Sequence, residues 1–519
     1  MYGHPPYTCI RSFKMKKVII KKNRYVDSVS LMGVADRVMT LAGVTNAESG
    51  MGTSANRDIL TQLGYELPDD ITANDLMIAV TANTEEEYNA AIKFAEDIID
   101  RKNVSSDKHY SDISEIDEEY DLCQISLPGE YAAAEAKKAM EKGMDLFIFS
   151  DNVSLEEELE IKQMGQRLGR LVMGPDAGVA LINGVALAAG SIIKDGPIGI
   201  VAASGSGAQE VGCIIEKCGM GVSNIIGTGG HDLLPKIGGI TMLEGIKRME
   251  QDPNTKVIVL VSKLADLGVM DKVLGVADNC TKPVVTLFLG SDEKLFASHK
   301  VRATFSLEAC ALEAVRLAGG EVSGFSMSDD ELSALTDKLM TKLSPKQKYF
   351  RGLYCGGTFT EEALQYFAAH NDGVTLYSNL SNAYCTKLED SEISCGHAIL
   401  DLGAEDFTAK APHPVFDPAL RLKRLRQELA DPDVAVVLLD FITGPGVAFD
   451  PITAFATECA KHPSVVFISN ICGSLEDPQD VAAKQKLLEE AGVIVTKSNY
   501  QSSRLASALM NALERRNRA

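Results

Sequence analysis

Two turns rich in glycine and hydroxyl groups carry the residues best suited to chemistry. The first is Gly199-Ile200-Val201-Ala202-Ala203-Ser204-Gly205-Ser206-Gly207-Ala208-Gln209-Glu210. The second is Gly352-Leu353-Tyr354-Cys355-Gly356-Gly357-Thr358-Phe359-Thr360-Glu361-Glu362. Each follows a short stretch of strand type and opens a segment of helix type. Small residues and hydroxyls thus stand where the first backbone N–H groups lack intrahelical acceptors and the helix dipole favours negative charge. Ser204, Gly205, Ser206 and Gly207, with Gly356, Gly357 and Thr358, are therefore candidate phosphate-binding residues. Two such ends in one chain suit a single phosphoryl group held between them. An ordinary N-cap explains the same residue types, because Ser and Gly are favoured there. Glu210 reads as a favourable charge early in a helix, worth ~0.3–1 kcal/mol.

Acid–base candidates lie further along. His397 and His413 are the best candidates because the histidine side chain ordinarily titrates near neutral pH, and Asp401 and Asp406 lie close by in sequence to orient them. His397, His413 and Asp406 form the candidate catalytic set. The spacing His-x3-Asp-x4-Asp-x6-His matches no standard metal motif, so no metal site is expected. Gly229 and Gly230 follow a strand at Asn224–Ile226 and allow close backbone approach to a ligand. With Arg351 they are the candidate substrate-binding residues. Lys263 is a second cation suited to an oxyanion. Cys355 reads as a small buried residue rather than a nucleophile.

These residues must be positioned by a chain of 519 residues, too long for one core. A hydrophobic content of 45% and a charged content of 24% are those of a soluble globular protein. The net charge of −21 argues against a nucleic-acid surface. No apolar run approaches the roughly 20 residues of a membrane span. The 11 cysteines lack a CxxC pair, which fits reduced thiols in the cytoplasm.

The fold class expected is multidomain α/β. A small α+β domain occupies residues 1–100 and an acidic, Ser-rich linker 101–121. Regular βα alternation starts at Leu122. It is divided into a Rossmann-like domain of the CoA-binding type (122–195) and a first flavodoxin-like domain (196–324). A linker (325–348) and a second flavodoxin-like domain (349–519) follow. In parallel sheets of this kind ligands sit beyond the C-terminal ends of strands, where both glycine turns fall.

The stretch from Ile198 to Lys263, through Ser204-Gly205-Ser206, Glu210 and Gly227-Thr228-Gly229-Gly230, resembles the ligase domain of the succinyl-CoA synthetase alpha subunit. Ser126 to Ala134 and Met173-Gly174-Pro175-Asp176 resemble part of that subunit's CoA-binding domain. The block from Gly352 resembles the ligase domain of the beta subunit. The whole chain resembles the FdrA family, described as acyl-CoA-synthetase-like, with both ligase domains fused. The resemblance rests on Asp27 to Met32, Met51 to Asn56, Phe149 to Val153, Gly396-His397 through Gly403, Pro412-His413-Pro414 and Asp417-Pro418. Two features of the synthetase have no counterpart: the glycine-rich loop that opens its CoA-binding domain, and an ATP-grasp domain. The phosphohistidine motif is also missing after the strand Val284–Leu287. Gly396-His397-Ala398 repeats its letters elsewhere and is not assigned that role.

The FdrA resemblance implies a subunit of an oxamate carbamoyltransferase-like enzyme in anaerobic purine and allantoin breakdown. That enzyme converts oxalurate and phosphate to oxamate and carbamoyl phosphate. The expected ligands are then inorganic phosphate or carbamoyl phosphate and a small carboxylate or carbamoyl substrate. Partner subunits would complete a hetero-oligomer, with no nucleic acid and no membrane. The superfamily's better-known chemistry is the alternative: an ADP-forming acyl-CoA ligase using CoA and ATP, with an ATP-binding partner. A non-catalytic scaffold subunit is the third reading.

Overall fold

The computed structural model describes residues 15–518, apart from 25, 27, 54–55, 58–59, 62, 69, 103–111, 264 and 449. Asp27, which opens the first stretch carrying the family resemblance, and much of the acidic stretch after Asn103 lie outside the described residues. Two units result, one of residues 1–109 with 448–450 and one holding the remainder.

In the first unit, strands β1 (Met15–Lys21), β2 (Val44–Met51) and β3 (Leu76–Ala82) form an antiparallel sheet in the order β1-β3-β2. The central β3 is buried at every position, which its run Leu76-Met77-Ile78-Ala79-Val80 requires. Helices α1 (Ser28–Met39) and α2 (Glu85–Lys102) place Leu31, Val34, Val38, Ile92 and Ala95 in the core against it.

The second unit begins with a parallel sheet, β4 (Leu122–Ile125), β5 (Asp145–Ile148) and β6 (Val172–Met173), carrying α3 (Gly129–Glu141) and α4 (Leu155–Leu168). The next hairpin, β7 (Val179–Ile182) and β8 (Val185–Ala188), was expected to close this Rossmann-like domain. It joins the following sheet instead, because β7 pairs antiparallel with β10 (Val222–Gly227).

That following sheet has β9 (Ile198–Ala202), β10, β11 (Val257–Lys263), β12 (Val284–Leu289) and β13 (Arg302–Thr304) in the order β13-β12-β11-β9-β10-β7-β8. Its helices are α5 (Gly205–Lys217), α6 (Ile240–Gln251), α7 (Leu267–Ala277) and α8 (Leu307–Leu317). The expected linker contains α9 (Asp329–Met340), closed at its start by a capping box between Ser328 and Glu331.

The last sheet has β14 (Tyr349–Tyr354), β15 (Leu376–Ser378), β16 (Thr386–Lys387), β17 (His397–Asp401), β18 (Val434–Ile442), β19 (Val466–Cys472) and β20 (Ile494–Thr496). Their order is β16-β15-β17-β14-β18-β19-β20. The helices are α10 (Gly357–His370), α11 (Glu405–Thr408), α12 (Ala419–Leu429), α13 (Thr453–Cys459), α14 (Val481–Glu490) and α15 (Asn499–Arg518).

Both large sheets have parallel strands in flavodoxin-like order: β10-β9-β11-β12-β13 in one and β17-β14-β18-β19-β20 in the other. One apolar core unites them. Val211 and Ile214 of α5, Phe359 and Ala363 of α10, and Leu505 and Leu509 of α15 share it. Burying those helices together sets the first turns of α5 and α10 against each other. Among the described residues no helix is long and apolar enough to cross a membrane.

Candidate functional site

The two turns meet. Ser204 caps α5, its Oγ accepting from Gly207 N at 3.0 Å. The same Oγ lies 2.6 Å from Oγ1 of Thr358, in the first turn of α10. Gly205, Ser206 and Gly357 are half-buried around this contact, while Ser204 and Thr358 are buried. The N–H groups of Gly205, Ser206, Gly357 and Thr358 fall in first turns, where no intrahelical acceptor exists. They form the part of the predicted anion cradle that the fold leaves available.

Two members of the predicted set are used internally. Gly207 spends its N–H on Ser204. Gly356 donates to Asp440 Oδ2 at 2.9 Å, and Cys355 N donates to Asp440 Oδ1 at 2.9 Å. Asp440 is the one acid in the apolar β18, next to β14, and Arg421 holds it in an ion pair at 3.3 Å. Its carboxylate already fills the anion position behind the second turn. Burial raises the Cys355 thiol well above its ordinary value and Asp440 reinforces the shift, so Cys355 is no nucleophile.

Beside Gly357 stand Asp401 and Lys263. A β-carbon built on Gly357 would lie 2.9 Å from Asp401 Oδ2 and 3.5 Å from Lys263 Nζ. Lys263, at the end of β11, sits 3.4 Å from Glu361 Oε2 and remains half-exposed. Asp401 ends β17, where Asn379 grips its backbone from both sides, accepting from its N–H at 2.9 Å and donating to its carbonyl at 3.0 Å. Its Oδ1 accepts from Gly403 N at 2.9 Å. Burial pushes the Asp401 carboxyl up to about 6, against the pull of Lys263 and the Gly403 N–H, with Asp440 and Glu361 adding to the rise. Such a group exchanges a proton near neutral pH.

His413 packs against the same segment, its Nε2 reaching the Cα side of Gly403. Its Nδ1 accepts from Val415 N at 3.2 Å, which assigns the ring proton to Nε2 in the neutral form. Burial lowers its basicity, and Asp440 opposes the change only in part. Neutral His413 therefore presents a donor toward the Asp401–Gly403 segment.

Other predicted residues lie elsewhere. His397 starts β17, at the opposite end of the strand from Asp401, four residues or about 13 Å away. Its Nδ1 accepts from Phe350 N and its Nε2 faces Glu514 at 3.2 Å. Arg351 pairs with Ala398 in register and so shares that far end. It is buried, bonded to Glu428 at 2.6 Å, to Asp431 at 3.4 Å and to the Gly396 carbonyl, so its charge is spent on the protein itself. Asp406 is exposed on α11 and accepts from Ser391 Oγ at 2.7 Å. His397, Arg351 and Asp406 are thus not part of the cluster.

Gly229 and Gly230 do border it. Thr228 N donates to the Ala202 carbonyl at 2.8 Å, setting this loop beside the Ser204 turn. Gly229 has φ +83°, and a β-carbon there would strike the Pro175 carbonyl, so only glycine fits. A fully buried Lys162 braces the loop, donating to the Thr228 carbonyl at 3.0 Å and pairing with Asp232 at 2.8 Å and Glu158 at 2.9 Å.

The comparisons with known proteins agree with this architecture. Residues 353–509 match the family model described as CoA-ligase, and residues 15–114 match that of the AllF heavy metal-associated domain. YahF of Escherichia coli strain K12, described as uncharacterized, is 37% identical over 505 residues, covering 94% of this chain and 98% of YahF. The succinate–CoA ligase alpha subunit of Methanothermobacter thermautotrophicus is 25% identical over 188 residues, 35% of this chain and 62% of that subunit. Subunit SauD of the ADP-forming sulfoacetate–CoA ligase of Bilophila wadsworthia is 27% identical over 180 residues, 33% of this chain and 59% of SauD. The chain thus spans about three-fifths of the ligase subunits it matches.

The metal implied by the name of the N-terminal family does not fit the residues present. Residues 15–114 contain no cysteine and one histidine, His109, so the thiolate donors that select soft metals are missing. Among the described residues no group of three or more His, Cys, Asp or Glu is placed to hold a metal ion. With a match running nearly end to end along YahF and ligase-type domains in both halves, this chain belongs to the FdrA family of acyl-CoA-synthetase-like proteins, in which alpha-type and beta-type ligase domains are fused.

Proposed function

We propose that the chain binds phosphate and transfers an acyl group as the ligase-domain component of an ADP-forming acyl-CoA ligase, with a partner subunit supplying the ATP-binding domain. The observation carrying this reading is the 2.6 Å contact between Ser204 and Thr358, which brings two helix N-termini from the two halves together. Phosphate, or the phosphate of an acyl phosphate, is held by the N–H groups of Gly205, Ser206, Gly357 and Thr358 and by Lys263. Preorganised donors of this kind stabilise charge as the C–O bond to phosphate breaks. CoA sulfur bonds to the acyl carbon, phosphate leaves with the electron pair, and the thiol proton passes to ionised Asp401. The Nε2–H of His413 steadies the segment that carries Asp401. The named activities of the curated relatives are CoA ligases, which favours this chemistry over carbamoyl transfer.

Carbamoyl transfer is kept as a second reading on one observation. Among the described residues the CoA-type sheet has β4, β5 and β6 alone, and the sequence around them lacks the glycine-rich loop expected of a CoA site. The same cradle would then hold carbamoyl phosphate.

One pair of assays separates the readings. The protein with its co-purifying subunits is given CoA, ATP and a panel of small carboxylates, and acyl-CoA is measured; it is then given oxalurate and phosphate, and carbamoyl phosphate is measured. Acyl-CoA formation that is lost when Ser206 is replaced by Phe supports the ligase reading. Carbamoyl phosphate alone overturns it. Full activity in the Ser206→Phe and Gly357→Val variants leaves the scaffold reading.

A further inference from the structure

Two buried glutamates lie beneath the cradle and take no part in the chemistry above. Glu210 is the sixth residue of α5 and Glu362 the sixth residue of α10, so they hold equivalent places behind the two turns. Both are almost fully buried. Each reaches across to the other half. Glu210 Oε1 accepts from the backbone N–H of Asn499, first residue of α15, at 2.8 Å. Glu362 Oε1 accepts from the backbone N–H of Leu307, first residue of α8, at 2.7 Å, and its Oε2 accepts from Asn499 Nδ2 at 2.7 Å. Each half thereby caps the last helix of the other half's sheet. Glu308, the second residue of α8, tightens the junction by accepting from Ser498 Oγ and from Gln501 Nε2, the latter at 2.8 Å.

This is an unusual place for carboxylates. Glu210 Oε2 is buried without a hydrogen-bond partner. A cap on a helix of the same domain would stabilise that helix alone. Here each acceptor is fixed to the helix that carries one half of the cradle, and the backbone N–H that it caps belongs to the opposite half. A displacement of one half against the other large enough to break these caps would also part Ser204 from Thr358.

We infer that Glu210 and Glu362 are reciprocal positioning residues, which make the alignment of the two anion-binding helix ends and the docking of the two halves a single event. The inference rests on the anion-site reading above. It goes beyond that reading in assigning to two non-contacting carboxylates the register of the site.

The test uses the full chain and inorganic phosphate, with sulfate as a second probe. Glu210→Ala, Glu362→Ala and the two Gln variants are compared by calorimetric titration and by hydrogen exchange of the peptides covering 199–210 and 352–362. The Ala variants are expected to bind phosphate at least tenfold more weakly and to exchange faster in both turn peptides, including the turn on the unmutated half. The Gln variants keep a carbonyl acceptor and should restore both readouts to within about threefold. Ala variants that remain folded, bind phosphate like the wild type and leave the opposite turn protected overturn the inference. Wild-type protein that binds neither anion overturns the anion-site reading instead. The exchange of the opposite turn then still decides whether the two caps set the register. If an Ala variant fails to fold, the Gln variants and the Glu210→Gln/Glu362→Gln double variant carry the exchange comparison, and loss of protection confined to the mutated half overturns the inference.

Discussion

The turn after β9 and the turn after β14 share a backbone plan and differ in what closes them. Ser204 closes the first with its own hydroxyl, which leaves that helix end electrically positive. The second has glycine at the cap, and the Asp440 carboxylate from the next strand takes the Cys355 and Gly356 N–H groups. A negative charge thus already sits behind the second turn. The difference teaches that a glycine turn at a helix N-terminus is not by itself an anion site. What the neighbouring strand brings to it decides how many amides stay available. On the proposed reading the first turn and Lys263 carry most of the attraction for an anion, and the second turn supplies shape through Gly357 and Thr358.

The largest effect expected from breaking this contrast is on stability. Asp440→Ala leaves Arg421 buried without its carboxylate and strips the acceptor from two buried N–H groups. Removing one partner of a buried ion pair costs about 3–5 kcal/mol. Urea denaturation should show a loss of that size, whereas Ser204→Ala, which removes one cap, should cost only about 1 kcal/mol. Equal losses at the two turns would erase the distinction between them.

The next effect is on binding. A β-carbon on Gly205 meets its nearest neighbour, Val179, at an ordinary 3.5 Å, whereas one on Gly357 crowds Asp401 at 2.9 Å. Gly205→Ala should therefore leave phosphate affinity within about threefold. Gly357→Val should weaken it by about 100-fold, or ~2.8 kcal/mol. Titration of the two variants side by side sharpens the comparison, and the reverse order of effects would break it.

Asp401 gives a smaller effect with a definite sign. Its folded value of about 6 lies above the ordinary 3.8, so the folded protein keeps a proton that the unfolded chain has released. Stability from this group is present below the lower value and is lost as pH rises through the upper one. At 1.4 kcal/mol per unit the loss reaches ~3 kcal/mol. Asp401→Asn cannot ionise, so it should match the wild type at pH 4 and exceed it by about 1–3 kcal/mol at pH 8. The same variant should lose the limb of the pH–rate profile near 6 and at least about 100-fold in turnover.

Much of this arrangement was legible in the residues. Apolar runs such as Ile198–Ala202 and Leu76–Val80 marked buried strands, and the turns after β9 and β14 stood out because glycine and hydroxyls cluster there. The hairpin Val179–Ala188 was harder, since nothing local tells an antiparallel edge from the last strand of a preceding domain. Lys263 and Arg351 were read alike, as cations near sheet ends with a solvated surface role as the default, and only Lys263 stands beside Gly357. Asp440 was missed although it is the one acid in Val434-Ala435-Val436-Val437-Leu438-Leu439-Asp440-Phe441-Ile442, a pattern that asks what a buried charge is doing there. Glu210 was read as a favourable charge near its own helix N-terminus, since sequence gives a position in a helix but not the helix end it faces across a domain boundary.

His397 shows most clearly where such reading stops, and it supplies the smallest predicted effect. In Gly396-His397-Ala398-Ile399-Leu400-Asp401 the closeness in sequence suggested that the aspartate would orient the histidine. The segment is a buried strand, and a strand holds its two ends apart by its length. His397 is therefore fixed at the far edge of the sheet with Arg351, while Asp401 is fixed at the site. Burial lowers the basicity of His397, with Glu514 opposing, so the ring stays neutral at pH 7. His397→Gln keeps a carbonyl acceptor for Phe350 N and should change turnover by less than about twofold, against the large loss at Asp401→Asn. Measured on the same preparation, a His397→Gln loss as large as that of Asp401→Asn would mean that chemistry reaches the amino ends of these strands, contrary to the rule for open parallel sheets.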